Sequence, residues 1–164
     1  MILRGDKTWP FVAKFIGTIF VDNVVATWFG GDVDPQDNGQ TACGYPTKGH
    51  PDLLGCSLPM DLGTVRATEG SPIPRLPFGL HSDGSPNPDG TIVTVWPFGF
   101  PDQVLALPLI DDGPGKQATK NPAEPHAIDL SRAAFSQIAF FAGLDPDKAL
   151  DIGIIRVGYK IVAS

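Results

Sequence analysis

The sequence predicts one mainly β domain, a small barrel of short strands with one or two short helices and long loops. Three observations carry this expectation. The 164 residues include 19 glycines and 17 prolines without a collagen-like period, a composition that sets many turns and disfavours long helices. Between the turns, runs of β-branched and aromatic residues recur at strand length. Only one segment in the C-terminal half keeps its apolar residues at firm helical spacing.

Taken in order, Thr8-Trp9-Pro10 has the form of a helix start, with Thr8 as cap and Pro10 in the first turn. A short helix to Ile16, ended by Gly17, would bury Phe11, Val12 and Phe15. Thr18 to Phe29 reads as a strand. Gly30 to Gly55 holds Gly30-Gly31, Asp34-Pro35, Asn38-Gly39 and Gly44-Tyr45-Pro46. These are turn signals, and a surface loop of that length is expected to serve function. Leu62 to Arg66 reads as a short strand, Leu76-Pro77-Phe78-Gly79 as a turn into a strand, and Ser82 to Gly90 as a hairpin tip. Thr91 to Phe98 and Gln103 to Ile110 are the clearest strand runs. After a loop from Gly113 to Pro125, Leu130, Ala134, Ile138 and Phe141 share one helix face, Gly143 ends the helix, and Ile152 to Val162 is the last strand. Six or seven strands and no internal repeat describe one domain over residues 1–164, with residues 1–20 as an N-terminal extension.

A hydrophobic fraction of 42% and a charged fraction of 18% belong to a globular chain. At this length a domain buries roughly 68–70% of its unfolded surface and folds without staples. The formal net charge is -6, and Lys and Arg are scattered singly. Without a basic stripe to follow a phosphate backbone, nucleic acid is not the expected partner. A neutral or mixed-charge polymer such as a polysaccharide suits the balance better. No apolar run reaches bilayer-spanning length, so no membrane span is expected. Met1 to Phe20 is broken by Pro10 and Lys14 and lacks a small-residue cleavage site, so it does not read as a secretory signal. Cys43 and Cys56 are too few for a metal cage, His50 and His81 have no ligand spacing, and no dinucleotide or phosphate fingerprint is present. Neither a metal nor a cofactor is therefore expected, and a monomer is the default. The two cysteines fit either a loop-closing disulfide, worth about 3 kcal/mol, or two free thiols.

Two phrases carry chemistry: Asp111-Asp112-Gly113-Pro114 and His126-Ala127-Ile128-Asp129-Leu130-Ser131. They place two carboxylates on either side of one loop, and a pair of acids can cleave a glycosidic bond by acid/base catalysis. Asp111 ends an apolar strand, which suits a general acid; as a plain turn residue it would bond the backbone near Gly113. Asp129 precedes the helix, so it reads equally as the helix cap, or as a charge supporting Asp111. Asp112 reads as solvent-facing. His126 could orient or protonate a partner. Trp28, Phe29 and Tyr45 offer apolar faces for stacking on sugar rings, or core packing instead.

The same residues carry a family resemblance. Ala26-Thr27-Trp28-Phe29-Gly30-Gly31, followed by Gly39-Gln40-Thr41-Ala42-Cys43-Gly44-Tyr45, resembles the first strand and loop of expansins. Leu76-Pro77-Phe78-Gly79 resembles the LPFG turn of rare lipoprotein A (RlpA), and Asp111-Asp112-Gly113-Pro114 its D-x-G-P turn. Ile128-Asp129-Leu130-Ser131 resembles its DLS helix start and, with His126, the H-F-D-L motif of expansins and family 45 endoglucanases. The pieces stand in the family's order from about residue 24 to residue 162.

The resemblance implies a six-stranded double-psi β-barrel with a polysaccharide groove, acting on peptidoglycan or cellulose-like glycan outside the cytoplasm, in the periplasm or at the cell wall. By position, Asp111 matches the catalytic aspartate of membrane-bound lytic transglycosylase A. Asp129 matches the general acid of family 45 endoglucanases. Thr27, Trp28, Phe29, Tyr45 and His126 fall where substrate contacts are expected. Family 45 enzymes place a base aspartate directly after the aromatic pair of the first strand; here Gly30 stands there and Asp32 is nearest. That departure favours a one-acid lytic transglycosylase over a two-acid glycoside hydrolase. It equally leaves a non-catalytic expansin-like binding or wall-loosening module, and a structural part of a phage or secretion device, as readings.

Overall fold

The computed structural model describes residues 17–33, 38–58, 76–112 and 127–163. Six strands alternate with turns and two short helices: β1 (Gly17–Phe29), β2 (Cys56–Leu58), β3 (Ile92–Pro97), β4 (Leu105–Asp112), β5 (Ile128–Ser131), α1 (Arg132–Phe141), α2 (Pro146–Ile152) and β6 (Ile155–Ala163). The strands close into a barrel in the order β1-β5-β2-β4-β3-β6. Two of the pairings are parallel, β1 with β5 and β2 with β4; the other four are antiparallel. The mainly β barrel expected from turn density and strand runs is the observed architecture.

Alternation along each strand decides what enters the barrel. Val93 and Val95 from β3, Leu107 and Leu109 from β4, Ile128 and Leu130 from β5, and Val157, Tyr159 and Ile161 from β6 are buried together with Ala26, Cys56 and Leu58. Register holds these positions level, as in Ala26 with Ile128, Cys56 with Leu130 and Val95 with Tyr159. Helix α1 buries Ala134, Phe135, Ile138 and Ala139 against the same core. It packs against β1, β3, β4 and β5, which places it across an end of the barrel.

The long strand runs agree closely with the sequence reading, and the short elements differ from it. β2 lies just beyond the stretch read as a long loop, and β5 occupies the residues read as a helix start. The helix cap is not Asp129 but Ser131, two residues further along, whose hydroxyl accepts the Ala134 N–H. Helix α2 has its own signals, Asp145 accepting the Asp147 N–H and Pro146 in the first turn, ended by Gly153 in the left-handed conformation. The expected helix from Thr8, the strand from Leu62 to Arg66, the loop from Gly113 to Pro125, His126 and the Asp112 side chain lie outside the described residues. No helix among the described residues is long and apolar enough to cross a membrane.

Candidate functional site

Strand register brings the polar residues of four neighbouring strands into one row. Thr27 on β1 pairs with Asp129 on β5, Asp129 pairs with Ser57 on β2, and Ser57 pairs with Asp111 on β4. A register shift between Cys56 and Ser57 lets Ile110 bulge out, so that Asp111 rather than Ile110 comes level with Ser57. Directly paired residues face the same side of a sheet, so the row lies on the face opposite Cys56, Leu109 and Leu130, which fill the core. Asp111 and Asp129 stand two strands apart, roughly 10 Å between Cα atoms.

Each acid has a defined donor. The Thr27 hydroxyl donates to Asp129 Oδ1 at 3.0 Å. The Ala42 backbone N–H donates to Asp111 Oδ1 at 3.0 Å, and the next amide, Cys43, donates to the Ile110 carbonyl at 3.1 Å. Both carboxylates are half-buried, whereas Ser57 between them is only 3% exposed. Thr27 and Asp129, chosen from the sequence, therefore touch each other. Asp111 stands in the same row one strand beyond Ser57, a residue that no motif of the sequence marks. The signal was present as apolar-polar-apolar alternation in Cys56-Ser57-Leu58 immediately after Gly55.

The loop over residues 38–55 is fastened at several points. Asp32, the nearest acid to the first strand, adopts φ 60° and receives the Gly49 N–H on both carboxylate oxygens, at 2.9 and 3.2 Å. The Thr41 hydroxyl donates to the Tyr45 carbonyl at 2.6 Å. The Tyr45 ring stacks on His50 with centroids 4.5 Å apart, and its hydroxyl lies 3.1 Å from His50 Nδ1. Gly84, at φ 86°, abuts that ring so closely that an added Cβ would lie 2.5 Å from it. Tyr45 is thus half-buried between its own loop and the turn over residues 82–90.

The aromatic residues of β1 have packing duties. The Trp28 indole N–H donates to the Leu150 carbonyl at 3.0 Å, tying β1 to α2, and the ring packs against the core. The Arg132 guanidinium lies 5.9 Å from the Trp28 ring centroid, while its aliphatic stem runs across Gly31. Phe29 is buried.

Both cysteines are free thiols. Cys43 is half-buried, 3.2 Å from the Thr41 hydroxyl. Cys56 points into the barrel against the Pro108 carbonyl at 3.7 Å, and burial, aided by the charge of Asp129, pushes its ionisation far above the ordinary thiol range. Burial does the same to the Tyr159 phenol, with Cys56 contributing. No group of three or more His, Cys, Asp or Glu among the described residues is arranged to hold a metal ion. The chemistry the row offers is that of paired carboxylates supported by hydroxyls. In sequence the chain matches no protein-family model and no curated protein.

Proposed function

We propose that the row is the working site of a glycan-processing double-psi β-barrel, acting as a lytic transglycosylase on peptidoglycan strands. The observation that carries the reading is the shared register of Thr27, Asp129, Ser57 and Asp111 on one face of a closed six-stranded barrel. The motif resemblance assigned chemistry to Asp111 and Asp129 separately, and the fold sets them in one row. Asp111 protonates the glycosidic oxygen as the bond to the anomeric carbon breaks. The resulting carboxylate then takes the proton of the sugar's own hydroxyl, whose oxygen closes onto the anomeric carbon to give a cyclised end without water. Asp129, held by Thr27, keeps a negative charge opposite the developing cationic sugar.

Asp32 is committed to the Gly49 backbone, which removes the nearest substitute for a first-strand base. The same commitment favours a second reading, an expansin-like module that binds glycan without cleaving it. Asp111→Asn separates the two. Transglycosylation predicts that release of soluble fragments from purified sacculi falls at least 100-fold while pelleting with sacculi is retained. Undiminished release contradicts the role of Asp111, and pelleting without release by the unmodified chain supports the binding module.

A further inference from the structure

We propose that Ser57 is the positioning residue of the row, its hydroxyl bridging Asp129 and Asp111 so that the two carboxylates exchange protons as one unit. This rests on the reading of the row as a working site and deepens it. Among the described residues, Ser57 is the one position paired with both acids, Asp129 across the antiparallel β2–β5 ladder and Asp111 across the parallel β2–β4 ladder. Directly opposed Cβ atoms of an antiparallel pair such as Ser57 and Asp129 are about 4.5–5.5 Å apart, a gap that a serine and an aspartate side chain span with one hydrogen bond. At 3% exposure the hydroxyl is out of reach of bulk water and must be partnered within the protein. It is not among the buried side-chain atoms left without a partner.

The inventory of protons then sets the arrangement. A serine hydroxyl has one proton to donate and lone pairs to receive. Between two ionised carboxylates it satisfies one; between an ionised and a protonated carboxyl it satisfies both. Asp129 already receives the Thr27 hydroxyl and suits the ionised place. Asp111, which takes the Ala42 amide on Oδ1 and faces Ser57 across the β2–β4 ladder, is the partner for the protonated place. The bridge therefore runs from the Asp111 carboxyl to the Ser57 oxygen and from the Ser57 hydroxyl to Asp129. The transferable proton sits on Asp111 and the standing charge on Asp129. The surrounding titratable groups among the described residues are Cys56 on β2, kept neutral by burial, Cys43 beside the end of β4, and Arg132 at the start of α1.

Carbon-13 NMR of the aspartate side-chain carboxyls across a pH titration tests the bridge in the full chain without relying on any activity. The Asp129 signal is expected to show a second inflection at the pH where Asp111 titrates, and Asp111→Asn is expected to remove it. Ser57→Ala, which adds no bulk, should shrink that second inflection at least twofold while the backbone amide pattern away from the row is retained. An Asp129 profile unchanged by Ser57→Ala, or one with no second inflection in the unmodified chain, overturns the proposal. Loss of the inflection in Ser57→Ala, when the unmodified chain releases no glycan fragments, upholds the bridge and rejects the cleavage reading.

Discussion

Thr27 shows what a single hydroxyl contributes to this barrel. Its bond to Asp129 serves a half-buried carboxylate, and hydrogen bonds to charged groups contribute about 1.5–3 kcal/mol. Thr27→Val keeps the β-branched shape and removes the donor. It is expected to lower stability by about 2 kcal/mol in urea unfolding at pH 7, and an unchanged midpoint would mean that water replaces the hydroxyl. The two thiols differ at the same scale. Cys43 should react with a thiol reagent in the native protein, whereas Cys56, neutral and enclosed, should react only on unfolding. Mass spectrometry before and after denaturant reads this directly, and a doubly labelled native protein would contradict the burial of Cys56. Thr27, Asp111 and Asp129 could be chosen from the sequence because their types and motif positions are local signals. Ser57 could not, because its meaning comes from two partners that only strand register supplies. The sequence offers Tyr45 and Trp28 for sugar stacking or core packing, but their stacking and hydrogen-bond partners, His50 and Leu150, are set by tertiary packing.

At the level of elements, long strands were legible and short ones were not. β1, β3, β4 and β6 carry enough β-branched and apolar residues to declare themselves. β5 has four residues and runs straight into α1, so its Leu130 reads in sequence as the first residue of the helix face. The junction is held by Ser131, whose hydroxyl accepts the Gly55 and Ala134 amides at 3.1 and 3.4 Å while its own amide donates to the Gly55 carbonyl. One side chain thus caps a helix and fixes the residue that leads into β2. Ser131→Ala removes the cap, worth about 1 kcal/mol, and leaves the buried Gly55 amide without its acceptor, a further 1–3 kcal/mol by order of magnitude. A combined loss of about 2–4 kcal/mol is expected in chemical denaturation. A loss below about 1 kcal/mol would show that the Gly55 amide finds another partner.

For the whole molecule, closure of the barrel sets both the stability profile and the site. Cys56 and Tyr159 are buried in one core with their ionisation pushed upward by burial. Both are neutral in the native state at pH values where the unfolded chain has begun to lose those protons. The unfolded state then binds fewer protons than the native state, so stability falls as pH rises. The fall begins near the ordinary thiol value, about pH 9, and steepens past about pH 10. Its limiting slope is about 1.4 kcal/mol per pH unit for each group. Tyr159→Phe should remove the steeper part of the decline in melting temperature, and an identical alkaline profile would contradict the buried phenol. The closed barrel was legible as a class, while the strand order that aligns Thr27, Asp129, Ser57 and Asp111 was not, because β5 and β2 join β1 to β4 through pairings far apart in sequence. The row is proposed to cleave glycan by internal cyclisation. Its most direct test is incubation of the purified chain with peptidoglycan, followed by the mass of the soluble products. Fragments ending in anhydro-sugars, one water lighter than their hydrolytic counterparts, are the expected result; reducing ends, or no fragments at all, would contradict it.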